Sequence, residues 1–498
     1  MTKISKKLLL IFSLLLLVSF AVSCTKNTKT DITNSQENAT TTTVTPIITP
    51  IVTPTVAPSV QEDGRDMPDW ASSTVIYEVN VRQYTKEGTF KAFSEHLERL
   101  KNMGVTTLWF MPIYPISELN RSGTLGSYYS IKDYTSVNPE FGDLQDFKDF
   151  VSKAHDMGFT VILDWVANHT GWDNTWITEH PDWYTQDKEG NIISPLGMGW
   201  PDVADLNYDN QDMRAAMIDA MSFWVKETDI DGFRCDYAGG VPQDFWEDAR
   251  AELSIEKQLY MLAEDNSNKD LLKTAFDSNY NWTMYDRLVA VARGNKNAAS
   301  IRTMITLTTN LPEGAFPLNF LDNHDKNSWE GTIIDTFGAD ALPSLTTLIF
   351  TMPGAPLIYS GQEAGLDKQL EFFEKDEISW DSLPYEKLIT SLCSIRKNNP
   401  ALYSGLAGAE IEYIDTQLNI LAFERTKDNK KITVIMNLTK NDQSDMVDYQ
   451  IGKNATVLLH GVGKDQPTTE SYSLTQDEQS GLSELQPWEY YVISSDVE

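Results

Sequence analysis

A chain of 498 residues is long enough for two or three domains, or for one large α/β barrel with additional elements. Its 72 acidic and 40 basic residues give a formal charge of −32, which argues against nucleic acid or an anionic membrane surface as a partner and favours a neutral ligand. Hydrophobic residues (41%) supply a large core, and the aromatic share of 11% suits stacking on flat apolar faces such as sugar rings.

The first residues predict export. Three lysines precede an apolar run at residues 8–22, which is short for a membrane span and has the form of an export signal. The letters AVSC that follow resemble the lipobox of bacterial lipoproteins, in which the cysteine, here Cys24, becomes the lipidated first residue. We therefore predict a lipoprotein signal peptide at residues 1–23 and an exported protein, anchored in a membrane by lipid at the cell surface or the periplasmic face. A plain secretory signal is the alternative.

Residues 24–66 predict a disordered tether. The stretch is polar and then rich in threonine and proline, as in NATTTTVTPIITPIVTPTVAPSV. Few of these residues can form a core, and repeated prolines favour extended chain. Such a tether would hold the folded part of the protein away from a membrane.

From residue 67 the pattern alternates between strand and helix. Strands are predicted at TVIYEVNVR, VTTLWFMPI, FTVILDWVAN, DGFRCD, LYMLAE, FPLNFL and APLIYSG, with a weaker one near YNWTMYD. Helices are predicted at TFKAFSEHLERLKNMG, LQDFKDFVSKAHDMG and about residues 211–227. Strands that alternate with helices form parallel βα units, so we predict an α/β fold with a (β/α)8 TIM barrel over residues 67–400.

Two further regions interrupt or follow this alternation. A Trp- and Gly-rich insertion after the third strand, at about residues 170–210, is too long for an ordinary loop and predicts a small inserted domain. From residue 401 the runs AEIEYI, NILAFER, KKITVIMNL, ATVLLHG and WEYYVISS predict short strands. We expect residues 401–498 to form a C-terminal antiparallel β-sandwich domain.

Charged residues stand where several predicted strands end. In a barrel of this kind the active site lies at the C-terminal ends of the strands. The residues at the ends of strands three, four, five and seven are Asp164, Asn168, His169, Arg234, Asp236, Glu264, Asp265, Asp322, Asn323, His324 and Asp325. One carboxylate at a strand end is usually a helix cap or a surface residue, but charges at four ends that meet at one mouth indicate a functional site.

Glycoside hydrolysis requires such a cluster. One carboxylate must be ionised to attack or stabilise an oxocarbenium-like centre, and another must keep its proton to donate it to the leaving oxygen. Asp236 suits the first role because the neighbouring Arg234 favours the ionised form. Glu264 suits the second role because burial and nearby anions raise the pKa of a carboxyl group.

Four segments carry a family resemblance. DWVANH, GFRCD, MLAED and FLDNHD resemble, in this order, the four ordered sequence regions of the α-amylase family of glycoside hydrolases, and VADLN resembles its fifth. The resemblance covers most of residues 67–400. It implies a (β/α)8 barrel, a small domain inserted after strand three, a C-terminal β domain and a retaining mechanism on α-glucans.

The resemblance also implies roles for individual residues. It makes Asp236 the nucleophile, Glu264 the general acid/base and Asp325 a carboxylate that stabilises the distorted sugar. The residues implied to contact the sugar in the cleaved subsite are Tyr129, which stacks on it, and His169, Arg234 and His324, which hydrogen-bond it. Asn168 and Asp205 match positions that bind a structural calcium in some members, and they are either oxygen ligands of this kind or hydrogen-bonded loop anchors. The chemistry itself needs no cofactor.

The sequence departs from the family pattern on the leaving side of the bond. Many family amylases carry Lys-His three and four residues after the nucleophile, where this chain has Gly239 and Gly240, and Ser127 replaces a histidine before the stacking tyrosine. The leading hypothesis is an extracellular α-amylase that cleaves α-1,4 bonds in starch-like polymers. The alternatives are a cyclomaltodextrinase or neopullulanase type, an exo-acting maltooligosaccharide hydrolase or transglycosylase, and a non-catalytic surface lipoprotein that binds α-glucans.

Overall fold

The computed structural model of the protein describes residues 65, 67–444, 451, 454–475, 482 and 484–497. The predicted signal peptide, Cys24 and all of the predicted tether except residue 65 lie outside this part of the chain. None of the helices within it is both long and apolar enough to cross a membrane.

Eight parallel strands close into a barrel, in the spatial order β1-β10-β9-β8-β7-β6-β3-β2. The barrel strands are β1 (Ile76–Val79), β2 (Thr107–Phe110), β3 (Thr160–Val166), β6 (Gly232–Asp236), β7 (Tyr260–Ala263), β8 (Ser278–Tyr280), β9 (Phe316–Asn319) and β10 (Ala355–Tyr359). Nearly every residue in them is buried, because side chains fill the interior of the barrel and helices cover its outside. The predicted TIM barrel is confirmed.

Helices connect the strands. They are α1 (Val81–Tyr84), α2 (Phe90–Ser94), α3 (Leu97–Met103), α4 (Leu144–Asp156), α5 (Trp176–Glu179), α6 (Gln211–Thr228), α7 (Gln243–Glu256), α8 (Leu271–Thr274), α9 (Trp282–Ala292), α10 (Ala298–Thr308), α11 (Ile333–Phe337), α12 (Leu342–Thr351) and α13 (Glu386–Asn398). Helix α4 begins with a capping box between Asp143 and Asp146, and α3 ends where Gly104 adopts a left-handed φ of 95°.

Three predicted elements differ in extent from the observed ones. The first strand is shorter than predicted, because the chain turns into α1 at Val81. The single helix predicted for TFKAFSEHLERLKNMG is two helices, α2 and α3, separated by Glu95 and His96. The weak strand near YNWTMYD has only three residues, because the Asn281 side chain accepts a hydrogen bond from the backbone N–H of Met284 and begins α9.

The insertion after β3 contains a small antiparallel sheet. Strands β4 (His169–Gly171) and β5 (Val203–Asp205) pair so that His169 lies opposite Asp205. The hydroxyl of Tyr134 donates to the carbonyl oxygens of both Val166 and His169. The inserted sheet is therefore fixed to the end of β3, beside the mouth of the barrel.

The described residues of the C-terminal region form one six-stranded antiparallel sheet. In the order β11-β12-β13-β16-β14-β15 its strands are β11 (Glu412–Tyr413), β12 (Ile420–Lys427), β13 (Lys430–Asn437), β16 (Glu489–Asp496), β14 (Thr456–Val462) and β15 (Tyr472–Ser473). Alternate residues of β12 face opposite ways: Leu421 and Phe423 join the core shared with the barrel, whereas Ile420 and Ala422 join a separate small cluster. The predicted antiparallel β domain is confirmed, but the predicted sandwich is wrong for the described residues, which form one sheet. The barrel covers the face of this sheet that a second sheet would cover in a sandwich.

Candidate active site

The centre of the site is the fully buried side chain of Arg234 in β6. Its Nη1 donates to Oδ1 of Asp164 at 2.9 Å and to Oδ1 of Asp236 at 3.0 Å, and its Nη2 forms a 2.9 Å ion pair with Oε2 of Glu264 without hydrogen-bond alignment. Strand alternation places Arg234 and Asp236 on the same side, whereas Cys235 is buried on the other and forms no disulfide. One guanidinium group thus contacts carboxylates from three neighbouring strands or strand ends.

Asp164 connects this arginine to the aromatic residues of the mouth. The carboxylate is fully buried at the end of β3 and accepts hydrogen bonds from Nε1 of Trp109 at 3.2 Å and from the hydroxyl of Tyr129 at 3.0 Å. Tyr129 therefore has a fixed orientation. From the sequence, Asp164 was predicted at a strand end but without a catalytic or substrate-binding role.

His324 is held by carboxylates on both of its nitrogens. Nδ1 lies 2.5 Å from Oε1 of Glu78, and Nε2 lies 2.9 Å from the hydroxyl of Tyr129 and 3.4 Å from Oδ2 of Asp325. Burial lowers the pKa of His324, but the carboxylates of Asp325 and Glu78 outweigh it and raise the pKa to about 9. The imidazole is consequently a cation at neutral pH.

Asp236 and Glu264 have different affinities for protons. Burial raises the pKa of Asp236 to about 6, and the nearby Arg234 opposes this rise. Burial raises the pKa of Glu264 to about 7, where Arg234 again opposes it and Asp236 and Asp325 add to it. The backbone N–H of Tyr237 donates to Oε2 of Glu264 at 2.8 Å. Both carboxyl groups therefore hold a proton more tightly than a free carboxyl does, and Glu264 holds it more tightly than Asp236.

A cavity of about 290 Å³ lies above these groups. Its lining residues are Ser127, Tyr129, His169, Trp200, Asp202, Val203, Asp236, Tyr237, Glu264, His324, Asp325, Trp329, Phe372 and Phe373. Burial lowers the pKa of His169 to about 4, so this histidine is neutral, unlike His324. A wider groove of about 620 Å³ near α2 and Trp380 contains none of the residues that surround Arg234.

The structure brings together the seven residues that the sequence predicted as catalytic or substrate-binding. Six of them line the cavity, and Arg234 lies directly beneath it. Four residues around the site were not predicted from the sequence: Glu78, Trp200, Tyr237 and Phe372. The signal for Glu78 was available, because it is an acidic residue inside the short apolar strand β1.

The two predicted calcium ligands lie next to each other at the inserted sheet. The side-chain amide of Asn168 is 3.2 Å from Nδ1 of His169, and burial raises the pKa of Asp205. Calcium takes about six to eight oxygen ligands. The described residues contain no group of three or more His, Cys, Asp or Glu side chains that could hold a metal ion. Calcium stays a prediction, which melting temperatures with and without a chelator would test.

The chain is similar to known proteins in sequence and in fold. Residues 34–447 match the family described as "Alpha amylase, catalytic domain". Alpha-amylase MalA of Haloarcula japonica is 28% identical over 418 residues, which cover 80% of this chain but only 59% of that relative's length. Two solved structures have similar folds: a maltogenic alpha-amylase, AmyB, from Thermotoga neapolitana (TM-score 0.74, 28% identity, 86% of this chain and 99% of that one) and an alpha-amylase from Lactobacillus plantarum (0.72, 29%, 85% and 99%).

Proposed function

Because the chain belongs to the α-amylase family, we propose that it is a retaining glycoside hydrolase that cleaves α-1,4-glucosidic bonds in starch-like α-glucans. The observation that carries this proposal is the single buried guanidinium of Arg234, which contacts both Asp236 and Glu264. Two carboxyl groups that share one guanidinium lie close together, and this suits the separation of about 5 Å in retaining enzymes.

In the first step an oxygen of Asp236 attacks the anomeric carbon of the sugar. The bond between that carbon and the leaving oxygen breaks, and the proton of Glu264 passes to the leaving oxygen. The difference in pKa, about 6 for Asp236 and about 7 for Glu264, supports these roles. Arg234 stabilises the ionised nucleophile before the attack.

In the second step the ionised Glu264 takes a proton from a water molecule. The oxygen of that water attacks the anomeric carbon, and the bond to Asp236 breaks. The sugar is released with its original configuration and both carboxyl groups return to their starting states.

The other side of the cavity is suited to holding the sugar. Asp325, which is 38% exposed, faces the cavity beside the cationic His324. The ring of Tyr129 stacks on His324 at a centroid distance of 5.3 Å and offers an oriented aromatic surface to a sugar. In the proposed mechanism Asp325 and His324 hydrogen-bond the sugar hydroxyls, and these bonds strengthen as the ring distorts.

A maltogenic enzyme is the second candidate. Its support is the similarity to the maltogenic alpha-amylase of Thermotoga neapolitana and the small cavity between two aromatic walls. An enzyme of this type releases one short product from the start, whereas an endo-acting amylase releases mixed long oligosaccharides early.

Product profiles on amylose, pullulan and cyclodextrins test the proposal and separate the two candidates. Asp236→Asn is the control, because it keeps the shape of the side chain but removes the nucleophile. Proton NMR of the first product should show the α-anomer. A wild-type protein that releases no reducing sugar from any of these substrates would contradict the proposal and favour a glucan-binding protein without catalysis.

Export and lipid anchoring are proposed from the N-terminal segment alone. The AVSC sequence supports lipidation of Cys24 and attachment to a membrane, with the α-glucan reached from outside the cytoplasm. Cys24→Ser should move the protein from the membrane fraction to the soluble exported fraction. A wild-type protein that is found in the cytoplasm would contradict this proposal.

A further inference from the structure

Tyr237, the residue after the proposed nucleophile, has an unusual backbone conformation. Its φ of 42° and ψ of 45° lie in the left-handed region, which a residue with a bulky side chain rarely adopts. This conformation turns the Tyr237 N–H towards Glu264 and places the ring on the wall of the cavity. Such local strain is typical of functional sites.

The Tyr237 ring is braced by the insertion that follows β3. The ring of Trp200 meets it edge-on at a centroid distance of 5.7 Å, and the Tyr237 hydroxyl lies 3.9 Å from the sulfur of Met198. Trp200 also lies 5.5 Å from the ring of His169. Tyr237 and Trp200 therefore form one wall of the cavity, which we call the Tyr237 wall.

The glycines that follow make room for neighbouring side chains. A Cβ atom on Gly240 would lie 2.0 to 2.9 Å from three atoms of the Tyr237 ring, and one on Gly239 would lie 2.3 Å from Oδ2 of Asp265. Neither glycine has a positive φ, so the backbone itself does not require glycine there. Gly240 is needed because the Tyr237 ring occupies the space that a larger residue would use.

The Tyr237 wall lies on the leaving side of the bond. Glu264 gives its proton to the leaving oxygen, so the leaving sugar must lie next to Glu264, and the nearest cavity wall there is Tyr237, which is hydrogen-bonded to Glu264. The opposite wall, formed by Trp329, Phe372 and Phe373, lies behind Tyr129 and His324. Tyr237 lines the cavity, and an aromatic ring at a cavity wall is suited to binding the apolar face of a sugar.

We propose that the Tyr237 ring, braced by Trp200 and accommodated by Gly240, is the platform on which the first leaving-side sugar stacks. This inference rests on the proposed function and specifies its substrate: the leaving group is an uncharged sugar ring, recognised by shape and apolar contact. Tyr237 then has two separate parts, a backbone N–H that positions Glu264 and a ring that binds the leaving sugar.

Two substrates that transfer the same maltosyl group separate these parts. Maltotetraose cleaved at its centre has maltose as the leaving group, whereas α-maltosyl fluoride has fluoride, which occupies no sugar platform. The measured quantity is the ratio of kcat/KM for maltotetraose to kcat/KM for α-maltosyl fluoride. Tyr237→Ala should lower this ratio at least about tenfold, because an aromatic anchor is lost on the leaving side only. Tyr237→Phe keeps the ring and should leave the ratio within about twofold of the wild type.

Gly240→Ala provides an independent test. The added methyl group must displace the Tyr237 ring, so this variant should lower the ratio in the same direction as Tyr237→Ala. In the Tyr237→Ala background the same glycine change should have no further effect, because the ring is already absent. Circular dichroism and melting temperatures verify that each variant is folded. If Tyr237→Ala does not fold, the ratio of the two kcat/KM values is compared between Gly240→Ala and Tyr237→Phe instead.

The outcomes distinguish this inference from the proposed function. Equal losses on both substrates in Tyr237→Ala, or a wild-type ratio in folded Gly240→Ala, would overturn the platform while leaving the hydrolase proposal in place. A wild-type enzyme that hydrolyses neither substrate would overturn both.

Discussion

Two buried arginines, Arg234 at the mouth of the barrel and Arg425 at its junction with the C-terminal sheet, have opposite surroundings. Arg234 contacts the carboxylates of Asp164, Asp236 and Glu264. Burial lowers its pKa, but Asp164 and Glu264 outweigh burial and raise the pKa well above the usual value. The hydrogen bonds of Arg425 go to backbone carbonyl oxygens, those of Thr351, Leu402, Tyr403 and Ala409. Burial, followed by repulsion from Arg396, lowers its pKa to about 9.

The different surroundings of the two arginines indicate different roles, one in the function of the site and one in the stability of the fold. Carbonyl dipoles are fixed and cannot change charge, so Arg425 serves only to hold the C-terminal sheet against the barrel. Carboxylates gain and lose protons, so the cation at the mouth controls which of them is ionised. Several like charges packed around Arg234 are unfavourable for folding, and their presence there indicates a requirement of the chemistry.

The largest expected effect comes from removing the cation at the mouth. Arg234→Met should lower kcat/KM on amylose roughly 10³-fold. Without the cation, the two neighbouring carboxylates raise the pKa of Asp236, and less of the nucleophile is ionised. The acid side of the pH-rate profile should move to higher pH for the same reason. Steady-state kinetics across pH 5 to 9 measure both effects. Activity within tenfold of the wild type would show that Arg234 is a structural residue like Arg425.

Arg425→Met should affect stability and leave catalysis intact. Four buried carbonyl groups lose their donor, so we expect the free energy of unfolding to fall by about 2 to 4 kcal/mol. Denaturant titration measures this, and kcat per folded molecule should match the wild type. The matched control is Lys430→Met, which breaks an exposed ion pair with Asp496 and should leave the free energy of unfolding almost unchanged. A parallel loss of kcat in Arg425→Met would remove the distinction between the two arginines.

Glu264→Gln should stabilise the folded protein at high pH. Burial raises the pKa of Glu264 from 4.5 to about 7, so the folded state keeps a proton that the unfolded state has lost. The cost to the fold therefore grows as pH rises from 4.5 to about 7 and stays at its largest above that. Neutral glutamine should add about 1 to 3 kcal/mol to the free energy of unfolding at pH 8. The gain should shrink as pH falls from 8 to 5. A gain that is independent of pH would mean that the ionisation of Glu264 is not its cause.

The smallest expected effect concerns His324, the second cation at the mouth of the barrel. Glu78→Gln removes one of the two carboxylates that raise the pKa of His324, so that pKa should fall from about 9 towards its usual value. We expect KM for maltotetraose to rise about three- to fivefold at pH 8 and to change little at pH 6, where the histidine stays charged in both proteins. A KM change of equal size at both pH values would point to a loss of packing instead.

Much of the fold was predictable because it depends on local patterns. Apolar runs separated by helical segments identified seven of the barrel strands and the charged residues that follow four of them. The eighth strand, β8, shares only Tyr280 with the segment YNWTMYD near which it was predicted, and the rest of that segment leads into α9. The extents of β1 and of the helices after it were wrong. Those boundaries depend on a turn after Val79 and an interruption at His96, and neither is marked by a glycine or proline.

Less of the site was predictable, because several of its contacts cross the barrel. Glu78 and His324 are 246 residues apart, and they meet because β1 and β9 both adjoin β10 when the barrel closes. Phe372 comes from the segment between β10 and α13, and it stacks on Tyr129 at 6.3 Å. No spacing along the chain indicates either pairing.

The sequence by itself determined the order of the strands, the side of β6 on which Arg234 and Asp236 lie and the segments that resemble the α-amylase family. These features follow from the two-residue period of a strand and from the order of residues, which are local properties. Tertiary structure alone decided that Glu78 would hold His324, that Trp200 would brace Tyr237 and that the barrel would cover one face of the C-terminal sheet. Each of these depends on closure of the barrel or on docking of a distant segment, because only close packing brings such residues within contact distance.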